Sequence, residues 1–79
     1  MNQTLARIGI KTMIMKQVNS DGIIAAGYTK EYMEVEFRGG RTHRYKSVPY
    51  GVYSDLLNSS SKVTYMNIVL KNYDYDRVK

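Results

Sequence analysis

Residues 33–49 read MEVEFRGGRTHRYKSVP, and this stretch decides the fold. Within residues 33–37, apolar and acidic side chains alternate, which is typical of a strand with one buried face and one solvated face. Gly39 and Gly40 follow and supply the backbone conformations that a tight turn needs. Residues 41–48 are therefore predicted to return as a second antiparallel strand.

The length of this turn decides which side chains share a face of the hairpin. A two-residue Gly-Gly loop would pair Val35 with Arg44 and place an arginine on the apolar face. A three-residue loop places Val35 and Phe37 on one face with His43 and Tyr45. Because a slip of one residue moves every side chain to the other face, we predict the odd-length loop with a glycine bulge. The opposite face then carries facing charges, with Glu34 and Glu36 on one strand and Arg44 and Lys46 on the other.

Helical spacing follows the hairpin. Pro49 suits the first turn of a helix, and Ser47 could cap it, so residues 49–58 are predicted to form an amphipathic helix over the sheet. Its expected apolar face is Val48, Val52, Tyr53, Leu56 and Leu57. A second helix is predicted over residues 62–70, with Tyr65, Ile68 and Val69 toward the core.

Before the hairpin, a turn at residues 20–22 and an apolar strand at residues 23–28 are predicted. Residues 1–19 form an N-terminal extension in which a strand over residues 8–16 is favoured, although Leu5, Ile8 and Met15 would also line one face of a helix. Residues 74–79 are expected to be a polar tail that frays. The predicted fold is α+β, a small antiparallel β-meander of three or four strands packed against one or two C-terminal helices.

The composition limits what else the chain can be. Its 79 residues include no cysteine, and 12 basic residues against 7 acidic ones give a net charge of +5. One small domain is expected, without disulfides or a thiolate metal site. No apolar run is long enough to span a bilayer, so we expect a soluble, cytoplasmic protein with no cofactor and no membrane contact. The charge favours anionic partners, either nucleic acid or an acidic protein surface.

Six residues are candidates for binding nucleic acid. Glu34 and Glu36 are expected to balance two of the hairpin cations, which leaves Arg38 and Arg41 at the tip for phosphates. Arg38-Gly39-Gly40-Arg41 is either a hairpin tip or an RNA-binding box. Tyr45 is either a core tyrosine or a base-stacking residue. The six candidates are Arg38, Arg41, Arg44, Tyr45, Lys46 and Lys62.

Ser61 and Lys62 allow two interpretations, a cap followed by a solvated lysine or a phosphate site at the start of the second helix. His43 is the only histidine, and a packed role is favoured over a catalytic one because no nucleophile and base can be assembled around it. We therefore expect no enzymatic activity and no metal site.

Residues 20–73 resemble the KTSC family, small domains found alone in bacteria and phages and at the C-terminus of some lysyl-tRNA synthetases. The resemblance rests on an ordered set of landmarks: Ile23, Gly27-Tyr28, residues 33–37, Arg44-Tyr45, Val48-Pro49, Val52-Tyr53, Leu56-Leu57, Ser61-Lys62, Tyr65 and Asn67. It implies a compact α+β domain and a role in RNA binding. The chain departs from the family at His43, where the resemblance implies a tyrosine, at Val63, where it implies a glycine, and at Met66, where it implies a phenylalanine.

A second functional hypothesis is a small protein-binding modulator or inhibitor that acts on a host protein with an acidic surface. Phage-encoded inhibitors have this build, which is an analogy. Tyr73 and Tyr75 would then be the contact residues. Self-association through an exposed sheet edge stays open as well.

Overall fold

The computed structural model describes residues 13–20, 22–68 and 70–78. Within them, five strands form one antiparallel sheet in chain order, which confirms the α+β class but exceeds the three or four strands predicted. The elements are β1 (Met15–Ser20), β2 (Ile23–Thr29), β3 (Tyr32–Phe37), β4 (Thr42–Tyr45), α1 (Tyr50–Asn58), α2 (Lys62–Ile68), a 3₁₀ turn (Leu70–Asn72) and β5 (Tyr75–Arg77).

The register of β3 against β4 is the predicted one. Val35 lies opposite His43, and Glu34 lies opposite Arg44. The Phe37 N–H donates to the Arg41 carbonyl at 2.7 Å, which closes a three-residue loop. Gly39 and Gly40 have φ values of 100° and 96°. Because L side chains rarely adopt such angles, glycine at both positions permits this odd-length turn.

The core lies between one face of the sheet and the two helices. The sheet contributes Ile23, Ala26, Met33, Val35 and Tyr45, and the rest comes from Val48, Tyr53, Leu56, Met66 and Leu70. Tyrosines extend this small core because their rings pack while their hydroxyls find carbonyls. Tyr28 donates to the Val48 carbonyl at 2.6 Å, and Tyr65 donates to the Val52 carbonyl at 3.2 Å.

The first helix begins one residue later than predicted. Pro49 is its N-cap residue with extended backbone, and no side chain caps the helix. The predicted cap at Ser47 is wrong, since Ser47 lies two residues before the N-cap and has a φ of 55°. The predicted apolar face is confirmed, because Val48, Tyr53 and Leu56 are buried while Val52 and Leu57 pack against the core.

The predicted core face of the second helix needs correction. Met66 and Leu70 are buried, whereas Ile68 is 61% exposed. Tyr65 is half-buried, and the side chain of Val69 lies outside the described residues. The helix ends at Ile68, and Leu70 enters the core from the 3₁₀ turn that follows. Met66 and Leu70 are four residues apart, so they share one side of the helical segment, as Tyr65 and Ile68 share another. The sequence permits either side to face the core, and packing against the sheet buries the side with Met66 and Leu70.

The two ends of the chain also differ from expectation. Most of the strand predicted over residues 8–16 lies outside the described residues, and β1 occupies Met15–Ser20. The predicted fraying of the tail is wrong, because β5 pairs with β4 from Tyr75 to Arg77. Its side chains have partners, since Tyr75 packs on His43 and Asp76 forms an ion pair with Lys46. These contacts hold a segment that looks polar in the sequence.

Two glycine substitutions should change stability in opposite directions. A Cβ atom on Gly27 would lie 2.8 Å from the Ile14 carbonyl oxygen and 2.6 Å from the Met15 Sδ, whereas a Cβ on Gly51 in α1 would meet nothing within 4 Å. We expect Gly27→Ala to destabilise the fold by about 1–3 kcal/mol because backbone must move. Gly51→Ala should stabilise it by about 0.5–1 kcal/mol through helix entropy. Urea denaturation of both variants measures this, and a neutral Gly27→Ala would contradict the close approach of the Met13–Met15 segment.

Candidate functional site

The tip of the β3–β4 hairpin presents two exposed arginines. The Arg38 N–H donates to the Gly22 carbonyl at 2.8 Å, which ties the tip to the β1–β2 connection. The Arg38 side chain makes no ion pair with any described residue. The Arg41 guanidinium lies over the Phe37 ring, 5.0 Å from its centroid, and likewise makes no ion pair within the described part of the chain. Both side chains are exposed, and neither has a carboxylate partner among the described residues.

The other two hairpin cations are neutralised on the sheet face that points away from the helices. Arg44 contacts Glu34 through two nitrogens, at 2.7 and 2.9 Å to the same carboxylate oxygen. Lys46 lies 3.2 Å from the Asp76 carboxylate. The predicted pairing of Glu36 with Lys46 is wrong, because Glu36 lies opposite Thr42 and β5 supplies Asp76 instead. Arg44 and Lys46 thus contribute little positive charge to a binding surface.

Tyr45 is a core residue. Only 6% of its surface is exposed. Burial raises the pKa of the Tyr45 phenol above its ordinary value, and the nearby Tyr75 hydroxyl raises it further. A ring this covered cannot stack on a nucleic-acid base, so the core interpretation holds.

The groups at Ser61 and Lys62 are engaged in local contacts. The Lys62 Nζ donates to the Ser59 carbonyl at 2.7 Å. The Ser61 hydroxyl donates to Thr64 Oγ1 at 2.9 Å. These bonds favour a structural role at the start of α2, with the lysine turned back onto the chain instead of extending into solvent.

A groove opens between the β4–β5 end of the sheet and the second helix, and we call it the aromatic groove. Its volume is about 420 Å³. The sheet contributes Phe37, His43, Tyr45 and Tyr75. The helix and the segment after it contribute Val63, Met66, Asn67, Leu70, Lys71 and Tyr73. None of these residues carries a carboxylate, and the groove combines apolar walls with one cation, Lys71.

Aromatic rings stack along the sheet wall of the aromatic groove. The rings of His43 and Tyr75 lie nearly parallel, with centroids 4.3 Å apart. Phe37 meets His43 edge to face at 4.9 Å. We call Phe37, His43 and Tyr75 the aromatic row. Arg41 lies on the Phe37 ring, so this row continues to the hairpin tip. The basic tip and the aromatic groove therefore form one continuous surface.

His43 is held as a neutral imidazole inside this row. Its Nδ1 atom is buried and has no hydrogen-bond partner. Burial lowers the pKa of the imidazole, and the positive charges of Arg41 and Arg77 lower it further. Its ring packs against Phe37 and Tyr75, so His43 provides a packing surface between them.

A metal-binding cluster is absent from the residues that the structure describes. No cluster of three histidine, cysteine, aspartate or glutamate side chains is placed to hold a metal ion there. None of the helices that the structure describes has the length and apolar character that a membrane span requires.

The structure brings together some of the predicted site residues and separates others. Arg41 is linked to Tyr75 through the rings of Phe37 and His43, although the sequence assigned Arg41 and Tyr75 to different hypotheses. Arg44 and Lys46 lie on the opposite sheet face. Sequence reasoning missed the contributions of Phe37 and Lys71. The spacing of Val63, Asn67 and Lys71 at every fourth residue was a usable signal, because such residues line one side of a helix.

The comparisons with known proteins agree with this architecture. The sequence model of the KTSC domain matches residues 19–76, and the chain belongs to the KTSC domain family. The crystal structure of a KTSC domain protein from Yersinia pestis is similar at a TM-score of 0.78 and 25% identity, over 86% of this chain and 100% of that one. The comparison with curated proteins finds no match.

His43 should make stability depend on pH below about 7, where the histidine of the unfolded chain becomes protonated. The fold lowers its pKa, so the folded chain binds a proton less readily than the unfolded chain, whose histidine has an ordinary pKa of about 6.5. Stability should therefore be full above that pH and fall as the pH decreases below it. His43→Tyr, which introduces the residue that the family resemblance implies, should remove this decline. Urea denaturation at several pH values tests this, and identical pH profiles for the two proteins would refute it.

Proposed function

We propose that this protein is a non-enzymatic nucleic-acid-binding module with RNA as its ligand. The observation that carries the proposal is the continuity of the basic hairpin tip with the aromatic groove. Arg38 and Arg41 make no ion pairs among the described residues, and the aromatic row begins directly beneath Arg41. Proteins that bind single strands combine these two features, cations for the phosphates and aromatic rings for the bases.

The distribution of charge supports this proposal. Among the described residues, Glu34 and Asp76 neutralise Arg44 and Lys46 on the far face of the sheet. The tip keeps its charge, and Lys71 adds another cation at the rim of the aromatic groove. An anionic polymer would therefore meet positive potential on one side of the domain.

Arg41 is held in place for such contacts. Its guanidinium rests on the Phe37 ring, and such a cation–π contact restricts a side chain while leaving its N–H groups available to phosphate. Arg38 is placed by its backbone bond to Gly22. We therefore expect two phosphate contacts, one from Arg38 and one from Arg41. The other two cations of the hairpin, Arg44 and Lys46, are already paired with carboxylates.

A second function, a small protein-binding modulator, is favoured by one observation. Tyr73 and Tyr75 both line the aromatic groove, where they could anchor a partner protein. An acidic partner surface would also be attracted to Arg38 and Arg41. Removal of nucleic acid distinguishes this function from the first.

RNA binding should be salt-dependent and should depend on the two tip arginines. Two phosphate contacts to a single strand predict a slope of log K against log salt of about −1.4. Arg38→Gln or Arg41→Gln should reduce that slope to about −0.7 and weaken binding about fivefold at 0.1 M salt. Fluorescence anisotropy with a labelled single-stranded RNA, titrated at several salt concentrations, measures both quantities.

Lys30→Gln is the matched control, because it removes one positive charge at the turn between β2 and β3, at the opposite end of β3 from the tip. It should leave the slope and the affinity close to those of the unmodified protein. Equal losses in all three variants would show that net charge, and not the tip, determines binding.

Affinity capture from cell lysate with and without nuclease separates the two functions. The RNA-binding function predicts that captured material is lost after nuclease treatment and in the Arg38→Gln, Arg41→Gln double variant. The modulator function predicts a protein that survives nuclease and is lost on Tyr73→Ala. A protein that survives nuclease and depends on Tyr73 would therefore replace the first function by the second.

A further inference from the structure

We propose that the aromatic groove binds one unpaired base of a single-stranded RNA, and that the base stacks on the ring of Tyr75. The inference rests on the proposed function and adds a base subsite and a preference for single strands over duplexes.

Tyr75 provides the stacking surface. One face of its ring lies against His43 at a centroid distance of 4.3 Å, and yet 51% of the residue is exposed. With one face covered by His43, that exposure leaves the other side of the ring accessible to a planar ligand. Stacking of a base on such a ring adds binding energy without reading the sequence.

The rings beneath Tyr75 hold it in position. His43 is packed between Phe37 and Tyr75, and the buried ring of Tyr45 lies 5.3 Å from Tyr75. Backbone bonds from Lys46 to Asp74 and from Val78 to Thr42 hold the strand on both sides. A ring that is already ordered loses little entropy when a base binds.

Charge around the groove matches a nucleotide. Lys71 lies on the rim, and Arg41 and Arg77 are close enough to His43 to influence its proton affinity. None of the lining residues is acidic. A base inserted on Tyr75 would therefore carry its phosphate into positive potential, whereas an uncharged apolar side chain of a protein partner would gain nothing from these cations.

The groove is large enough to admit a base and carries a polar group that a base could use. Its volume of about 420 Å³ lies in the range of small-ligand sites. Asn67 supplies an amide that can both donate and accept hydrogen bonds, as the edge of a base requires. In a duplex the base faces are stacked inside the helix, so only an unpaired base could reach Tyr75.

The experiment uses a ten-nucleotide RNA that carries 2-aminopurine at one internal position, as a single strand and annealed to its complement. The single strand should bind with quenched 2-aminopurine emission, and the duplex should bind more weakly and without quenching. Tyr75→Ala should abolish the quenching and weaken single-strand binding by between about fivefold and about 150-fold. Tyr75→Phe should keep both properties because it retains the ring.

A second pair of variants guards against local unfolding of β5. Val63 and Ile68 are both exposed residues of α2, but only Val63 lines the aromatic groove. Val63→Glu introduces a carboxylate into the groove and should weaken single-strand binding, whereas Ile68→Glu adds the same charge outside it and should weaken binding much less.

The outcomes separate the subsite from the function. If the Arg38 and Arg41 variants lose RNA while Tyr75→Ala and Val63→Glu bind and quench like the unmodified protein, the base subsite is wrong and the proposed function stands. If no nucleic acid binds at low salt, both fall. Equal binding and quenching of the single strand and the duplex would also overturn the base subsite. A protein partner that survives nuclease treatment and is lost on Val63→Glu would show that the aromatic groove binds protein instead of RNA.

Discussion

The pairing register of β3 and β4 is the constraint on which the rest of the structure depends. The three-residue loop with glycines at positions 39 and 40 sets Val35 opposite His43 and Glu34 opposite Arg44. A shift of one residue would turn Arg44 toward the core and His43 away from it. The packing of the core, the ion pair between Glu34 and Arg44, and the aromatic row therefore all require the same register.

This register separates two kinds of charge on one small domain. Cations that point away from the helices meet carboxylates, as Arg44 meets Glu34 and Lys46 meets Asp76. The cations at the turn, Arg38 and Arg41, lie beyond the ends of the strands and make no ion pair with any described residue. Positive charge is therefore concentrated at the tip by the geometry of the hairpin, although the sequence distributes it along the whole stretch.

The return of the chain as β5 completes the candidate site. Tyr75 covers His43, and the aromatic groove forms between this strand and α2. The tail looked like a polar end because tyrosine alternates with charge there, yet that alternation is also the pattern of a strand with two different faces. In the fold, Tyr75 lies on the helix side of the sheet and Asp76 on the other.

Alternation, glycine turns and helical spacing act between neighbours in the chain, and they were sufficient to predict the hairpin register, the α+β class and the apolar face of α1. The sequence also predicted Arg38 and Arg41 as the uncompensated cations at the hairpin tip, and neither makes an ion pair with a described residue. The packing of separate elements was needed to show that Lys46 pairs with Asp76, that Met66 and Leu70 enter the core, and that Tyr75 stacks on His43. These contacts join residues from different elements, and their free energy depends on how the elements pack and not on any local pattern.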